Sequence, residues 1–257
     1  PCRFSSPNQP SPAPSTSPQC SLGTTNKYFA AFFFGDSMTT VESRSSPHFF
    51  LTVLRFRSTS RITKPPLRGP VNTPAALKLS GCRTNYWLAT NDEMLQKAFR
   101  SIASDFGTDH PAGQMKSLYL HISAHGNEEG LGLTNGSFIS WKSLSSLLKS
   151  LSESIGSEQA KGNIRISRII LCLSSCFGLS AENMYEGNAL SSTQAIVGPN
   201  KEVAWPDALT AFTTFYHLVN LKDHGVTVAV EKMNCAAGLD GVFVDCPSPE
   251  VTQLLIR

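Results

Sequence analysis

SLYLHISAHG, residues 117–126, and IILCLSSCFG, residues 169–178, are the two stretches that decide the fold of this chain. Each contains a mainly apolar run of the length of a buried strand, and each run ends in small and polar residues. Strands that are apolar on both faces are typical of parallel sheets, in which helices cover both sides. We therefore predict buried strands over residues 117–124 and 164–173.

Helical patterns alternate with strand patterns on either side of these runs. Thr90-Asn91-Asp92-Glu93 is a capping box that opens a helix through Ile102. Residues 130–138 have the pattern of a hairpin with Asn135-Gly136 as its turn, and Ser140 is placed to cap a helix. The patterns further downstream indicate a strand over 194–197, helices over 206–221 and 226–236, and a last extended piece over 241–244. This order predicts an α/β fold with a mainly parallel sheet flanked by helices on both faces.

The N-terminal part of the chain has a different composition. Eleven of the sixteen prolines lie in residues 1–74, so we predict that residues 1–82 are largely irregular and that the folded domain covers 83–257. Residues 49–56 have the pattern of a strand, but Pro65, Pro66 and Pro70 follow closely and argue against regular structure there.

Charge and composition limit the partners that we expect. Residues 1–82 hold nine Lys/Arg against two Asp/Glu, about +7, and the remainder holds thirteen against seventeen, about −4, which gives the net +3. We predict no nucleic-acid partner, and a solvated arm is the simpler account of the basic segment. No apolar run has the roughly 18–20 residues that a membrane span needs, so we expect no membrane.

The cysteine pattern bears on metals and on the compartment. None of the seven cysteines forms a Cys-x-x-Cys pair, so we predict no metal site. Free thiols in a reducing cytoplasm account for seven cysteines in a chain of this length.

Two reactive side chains follow the two central strands. In open parallel sheets, sites form beyond the carboxyl ends of the strands, and His125 and Cys176 both stand at that edge, 51 positions apart. A free thiol has a pKa of about 8.5, so a cysteine nucleophile needs a neighbouring base that accepts its proton. Backbone N–H groups of Gly126 and Cys176 are candidates to bind the oxyanion of a tetrahedral intermediate.

A second histidine and a second cysteine lie inside the same strands. His121 and Cys172 each precede the edge residue by four positions, in mid-strand. We predict that His121 is a core histidine with satisfied hydrogen bonds and that Cys172 is unreactive core.

These motifs resemble those of a known group of proteins. The strings LHISAHGNEEGLGL and IILCLSSCFG are similar to the histidine and cysteine motifs of the caspase-like cysteine peptidase clan, and within it to CHAT-type domains. The spacing is close to the caspase separation of about 50 residues. IVGPNKEVAWPDALTAFTTFYHLV resembles the segment that follows the cysteine strand in CHAT-type domains. The resemblance covers roughly residues 84–240 and implies a caspase-like sandwich.

The resemblance also implies an activity. It suggests a cofactor-free endopeptidase acting on polypeptides, with His125 and Cys176 as the catalytic dyad and Gly126 and Cys176 as oxyanion donors. Phe177 stands where caspases have an arginine, so specificity for aspartate is not implied. Glu202, Asp207 and Asp240 are candidates for selecting a basic side chain, and Trp205 for contacting substrate; surface solvation or core packing is the simpler role of each.

Two hypotheses about function follow from these observations. The first is a cysteine endopeptidase in regulated proteolysis, such as cell-death or defence signalling. The second is a catalytically inactive caspase-like fold that serves as a protein-interaction module. The missing arginine and the irregular N-terminal region favour the second, and the paired strand-end motifs favour the first. The sequence gives no indication of the oligomeric state.

Overall fold

A computed structural model of the protein describes residues 49–55, 83–108, 117–156, 158–160, 164–166, 169–186 and 192–256. All of them belong to one compact unit, Ser46–Arg257. The strands in chain order are β1 (Phe49–Arg55), β2 (Arg83–Leu88), β3 (Ser117–Ser123), β4 (His125–Asn127), β5 (Gly130–Gly132), β6 (Phe138–Ser140), β7 (Glu158–Ala160), β8 (Ile164–Ile166), β9 (Ile169–Leu173), β10 (Ala195–Pro199) and β11 (Phe243–Pro247). The helices are α1 (Asp92–Thr108), α2 (Trp141–Ile155), α3 (Trp205–Leu221), α4 (Val226–Ala236) and α5 (Pro249–Leu255), with a 3₁₀ helix over Gly178–Tyr185.

A six-stranded sheet forms the centre of the unit, in the order β11-β10-β9-β3-β1-β2. All neighbours pair in parallel except β11, which runs antiparallel to β10 at one edge. The two predicted central strands are therefore neighbours, because β3 pairs directly with β9.

Helices cover both faces of this sheet, as predicted. Alternate residues of β3 and β9 face opposite sides, which is the two-residue period of a strand. One face, with Leu120 and Leu171, packs against α1, α2 and the 3₁₀ helix. The other face, with Tyr119 and Cys172, packs against α3 and α4. The α/β prediction with a mainly parallel sheet is confirmed.

One strand comes from the segment predicted to be irregular. β1 lies between β2 and β3 and pairs in parallel with both, so the sheet takes in residues from within 1–82. The prolines at 65, 66 and 70 follow this strand in sequence and do not interrupt it. They lie in the connection to β2, outside the described residues.

Several local predictions are confirmed and two need correction. Ser140 accepts a hydrogen bond from the Ser143 amide at the start of α2, and β5 and β6 form the predicted hairpin. At α1 the cap is Asn91, whose side chain accepts from the Met94 amide, and not Thr90. The strand predicted over 164–173 is divided, because β8 pairs with β7 in a separate two-stranded sheet and only β9 belongs to the central one.

Candidate active site

The register of the two central strands brings the histidine and cysteine motifs to one edge. His121 of β3 pairs directly with Cys172 of β9. His125 and Cys176 each lie four residues further along. Since parallel strands end at the same edge of a sheet, both segments leave the sheet side by side.

A short hairpin carries His125. After the buried Ala124, β4 begins at His125 and pairs antiparallel with β5. Asn127 closes the turn by accepting hydrogen bonds from the amides of Glu129 and Gly130, at 2.9 and 3.0 Å. Trp141, the first residue of α2, donates its indole N–H to the Glu128 carbonyl at 2.9 Å. The hairpin is therefore fastened to a helix N-terminus, while the His125 side chain stays exposed.

A tight turn carries Cys176. The Ser174 amide donates to the Ile122 carbonyl at 3.1 Å, and the Gly178 amide donates to the Ser175 carbonyl at 3.1 Å. Phe177 has φ 55° and ψ 27°, a left-handed conformation that is an outlier for a bulky residue. Such outliers persist where the surrounding structure over-determines the backbone, and they cluster at functional sites.

The two motif segments touch through their backbones at Gly126. A Cβ atom added at Gly126 would lie 2.7 Å from the carbonyl oxygen of Cys176 and 3.0 Å from Cβ of Ser175. Any other residue at position 126 would force the histidine and cysteine segments apart. The glycine of Ala-His-Gly is therefore needed for close approach rather than for turning.

A third segment, between β10 and α3, completes the site. The Lys201 carbonyl accepts from the Phe177 amide at 3.2 Å, and the Val203 carbonyl accepts from the Cys176 thiol at an Sγ–O distance of 3.9 Å. Trp205, which opens α3, meets the His125 ring edge-on with the ring centroids 5.9 Å apart. The segment 200–205 thus contacts both motifs.

The thiol of Cys176 is free and partly accessible, whereas Cys172 and Cys246 are free and buried. Within the described part of the chain, the hydrogen-bond partner of this thiol is Val203, and no hydrogen bond joins Cys176 to His125. The Cys176 thiol is therefore held beside the segment between β10 and α3 rather than against the His125 ring.

The inner pair, His121 and Cys172, is buried, and burial favours the uncharged form of both side chains. Burial lowers the pKa of His121 to about 3, so its ring is neutral at physiological pH. Burial raises the pKa of the Cys172 thiol to about 12, in spite of an opposing hydrogen bond with Tyr216. His121 hydrogen bonds through Nδ1 to the Tyr216 hydroxyl and through Nε2 to the Ser174 hydroxyl, at 2.8 and 3.0 Å. The predictions that His121 is a core histidine with satisfied hydrogen bonds and that Cys172 lies in the core are confirmed, and the low reactivity of Cys172 stays a prediction.

The structure as a whole has a counterpart among solved structures. Over 89% of this chain and 91% of the other, the structure matches the crystal structure of the Drosophila initiator caspase Dronc with a TM-score of 0.54. The fold is caspase-like. The two sequences are 12% identical, so the likeness shows the fold alone. No protein-family model matches the chain, and no curated protein matches it in sequence.

The predicted substrate residues occupy different places around this caspase-like edge. Glu202 is exposed and lies next to Val203, the contact of Cys176. Asp207 is half-buried in the first turn of α3, two residues after Trp205. Asp240 is exposed in the loop before β11, which reaches the end of β10 because Asn200 donates to the carbonyls of Gly241 and Val242. Glu202 and Trp205 are thus adjacent to the motif contacts, and Asp240 lies in a neighbouring loop.

Sequence reasoning missed the carbonyls of Lys201 and Val203 and the hydrogen-bond partners of His121. Backbone carbonyls are supplied by every residue, so no side-chain pattern could have pointed to the first two. The partners of His121 had a usable signal, because a histidine on a buried strand face requires polar neighbours, and Ser174 and Tyr216 were within the motif segments.

Other observations concern cysteines, metals and membranes. Cys235 is disulfide-bonded, which corrects the expectation of free thiols. Among the residues that the structure describes, no group of three or more His, Cys, Asp or Glu is arranged to hold a metal ion. No described helix combines the length and the apolar character needed to cross a membrane.

Proposed function

We propose that this chain is a cysteine endopeptidase in which His125 and Cys176 form the catalytic dyad. The observation that carries the proposal is the close backbone approach at Gly126. There the histidine segment lies directly against the carbonyl of Cys176, at the carboxyl edge of the sheet. The caspase-like fold and the partly accessible free thiol support it. Within the caspase-like clan we propose a CHAT-type domain, on the strength of the sequence motifs.

The proposed reaction begins with transfer of the Cys176 thiol proton to His125. The sulfur leaves the Val203 carbonyl and forms a bond to the scissile carbonyl carbon of a polypeptide. The carbonyl π electrons move to oxygen, and the N–H groups of Gly126 and Cys176 are proposed to bind the resulting oxyanion. As the C–N bond breaks, His125 gives its proton to the leaving amine, and a thioester to Cys176 remains.

Water completes the cycle. His125 accepts a proton from water, the hydroxide adds to the thioester carbonyl, and the C–S bond breaks to release a carboxylic acid. The proton then returns from His125 to the sulfur. The cycle needs no cofactor, since every proton and electron pair is accounted for by the dyad, the peptide and water.

The proposed substrate is a polypeptide that lies across this edge of the sheet. Trp205 is placed beside His125 and Glu202 beside the Cys176 contact, so both are proposed to touch it. Glu202, Asp207 and Asp240 would favour a basic side chain over the aspartate that caspases select. We further propose a role in regulated proteolysis, from the resemblance, and a cytoplasmic location, from the cysteine pattern. Counting the free thiols of the protein isolated from cells tests the location, because a reducing compartment would leave the Cys235 disulfide open.

Cleavage of a peptide library by the reduced full chain tests the proposal. We expect Cys176→Ala to lower cleavage by about 10³-fold or more, because no other side chain replaces the nucleophile. Cys246→Ala is the matched control, because this buried thiol lies on the edge strand β11, where its hydrogen-bond partners are Glu182 and the Pro247 carbonyl. Equal cleavage by the two variants would overturn the proposal.

A second function is a catalytically inactive, protein-binding module, and one observation favours it. The Cys176 thiol donates to the Val203 carbonyl and has no hydrogen bond to His125 in the described part of the chain. Alkylation by iodoacetamide at neutral pH separates the two functions. If the chain is a peptidase, iodoacetamide is expected to alkylate Cys176 about tenfold or more faster than Cys246, since accessible thiolates react fastest. Slow labelling of both, with no peptide cleaved, would establish the inactive module.

A further inference from the structure

A chain of buried polar groups runs beneath the turn that carries Cys176. Its centre is His121, whose side chain is 5% exposed. Nδ1 of its ring lies 2.8 Å from the Tyr216 hydroxyl, and Nε2 lies 3.0 Å from the Ser174 hydroxyl. This hydrogen-bond network joins helix α3, through Tyr216, to Ser174, the first residue after β9.

This arrangement is more costly than an apolar core. The ring of His121 packs edge-on against Phe212 at a centroid distance of 4.5 Å, in an aromatic cluster where an apolar side chain would need no partner. Burial holds the pKa of His121 at about 3, so the ring is neutral and offers one donor and one acceptor. Both are used by hydroxyls, which donate or accept as the tautomer requires.

The position of Ser174 links this hydrogen-bond network to the turn that carries Cys176. Ser174 is bound to β3 twice, by its amide to the Ile122 carbonyl and by its hydroxyl to His121. It lies two residues before Cys176, where the backbone must turn into the left-handed conformation of Phe177. The second bond fixes the direction in which the turn leaves the sheet.

Tyr216, at the other end of the network, is held in the packed core. Tyr216 is fully buried and stacks on Phe212 with the ring centroids 6.0 Å apart. The same helix, α3, begins at Trp205, the neighbour of His125. A single helix thus contacts the histidine segment at its first turn and the cysteine segment through His121.

We propose that His121 is a positioning residue for Cys176, acting through Ser174 and anchored by Tyr216. For its effect on cleavage, this inference rests on the proposed function. A histidine that only filled the core would affect stability and leave the reactivity of Cys176 unchanged.

Two amide substitutions at one position test the inference. The side-chain nitrogen of glutamine occupies the place of Nε2 and preserves the bond to Ser174, whereas the shorter asparagine occupies the place of Nδ1 and preserves only the bond to Tyr216. We expect His121→Asn to lower kcat about tenfold with KM unchanged, because small displacements of reacting groups cost this much or more. We expect His121→Gln to stay within about threefold of the wild type. Equal kcat values for the two variants would overturn the proposal.

A second set of variants keeps the test valid if the core variants fold poorly. Ser174→Ala removes one oxygen and is expected to lower kcat about as much as His121→Asn. The double variant should show no further loss, because both substitutions remove the same hydrogen bond, between His121 and Ser174. Ser174→Thr restores the hydroxyl and is expected to restore most of kcat. Phe215→Leu is the matched control for lost packing, since Phe215 is fully buried in the same cluster and makes no polar link to Ser174.

Alkylation of Cys176 by iodoacetamide is measured on the same variants across pH, and this readout does not depend on peptide cleavage. The expected order is wild type, Ser174→Thr and His121→Gln above His121→Asn and Ser174→Ala, by about threefold or more. If this order holds while the wild type cleaves no peptide, the peptidase proposal is overturned and the positioning role is supported. If the wild type cleaves peptides and all variants alkylate alike, the positioning role is overturned.

Discussion

The inner pair, His121 and Cys172, and the edge pair, His125 and Cys176, consist of the same two residue types, the first within β3 and β9 and the second just beyond the ends of these strands. The inner pair is paired in register within the sheet, and the edge pair lies four residues beyond it. Burial keeps the inner histidine neutral and the inner thiol protonated, with pKa values of about 3 and about 12. The edge histidine is exposed and the edge thiol is partly accessible. Depth in the sheet, rather than residue type, therefore decides which pair solvent can reach.

The same substitution at both histidines gives the largest expected contrast. His125→Gln removes the proposed base, and loss of a general base costs about 10²–10⁴-fold in kcat. His121→Gln is expected to retain kcat to within about threefold, because its side chain still reaches Ser174. Kinetics of peptide cleavage by the two variants measure the contrast. A loss of similar size at both positions would show that the edge histidine has no special role.

The glycines of the histidine hairpin give the next contrast. We expect Gly126→Ala to lower kcat/KM by about tenfold to a hundredfold, because its Cβ would lie 2.7 Å from the Cys176 carbonyl oxygen and would push the two segments apart. In Gly132→Ala the nearest atom to the new Cβ is 3.9 Å away, so activity should persist. Both variants are compared by kinetics and by thermal unfolding. An active Gly126→Ala would mean that the backbone contact is dispensable.

The pH dependence of stability isolates the inner histidine. Its pKa is about 3 in the folded chain, against about 6.5 when unfolded, so the unfolded state binds more protons as the pH falls below 6.5. The stability contributed by the neutral ring is therefore complete above pH 6.5 and is lost as the pH falls toward 3. We expect the wild type to lose about 2 kcal/mol more than His121→Gln between pH 7 and pH 5. Urea unfolding at both pH values measures this, and parallel losses in the two proteins would contradict it.

The smallest expected effect is at Trp205. Its edge contact with His125 is of a kind worth about 0.5–1.5 kcal/mol. We expect Trp205→Ala to raise KM about threefold to fivefold and Trp205→Phe to leave it near the wild-type value, because phenylalanine keeps an aromatic edge. Initial rates over a range of peptide concentrations provide KM. An unchanged KM in Trp205→Ala would remove this residue from the proposed substrate contacts.

Most of the central fold was predictable from the sequence because its signals are local. The apolar runs at β3 and β9 and the helical spacing of α3 each identify an element without knowledge of its neighbours. The place of β1 was not predictable in this way, since its pairing partners lie far along the chain and the prolines that follow it argued against a strand.

In the candidate site, the two side chains could be predicted from the sequence, but the backbone contacts and conformations could not. His125 and Cys176 were identified because strand ends in a parallel sheet share an edge, and their catalytic roles stay predictions. The contribution of Val203 depends on a backbone oxygen, for which residue identity is no guide. The left-handed conformation of Phe177 was equally hidden, because a phenylalanine is an unexpected residue there.

The position of β1 has a practical consequence for work with shortened forms of the protein. A version starting at residue 83 would lose a strand from inside the sheet, because β1 separates β2 from β3. β2 would have no partner, and the unpaired backbone of β3 would be open to strands from other molecules. Such a fragment is expected to aggregate on expression, and an inactive preparation of it would reveal nothing about the activity of the longer chain.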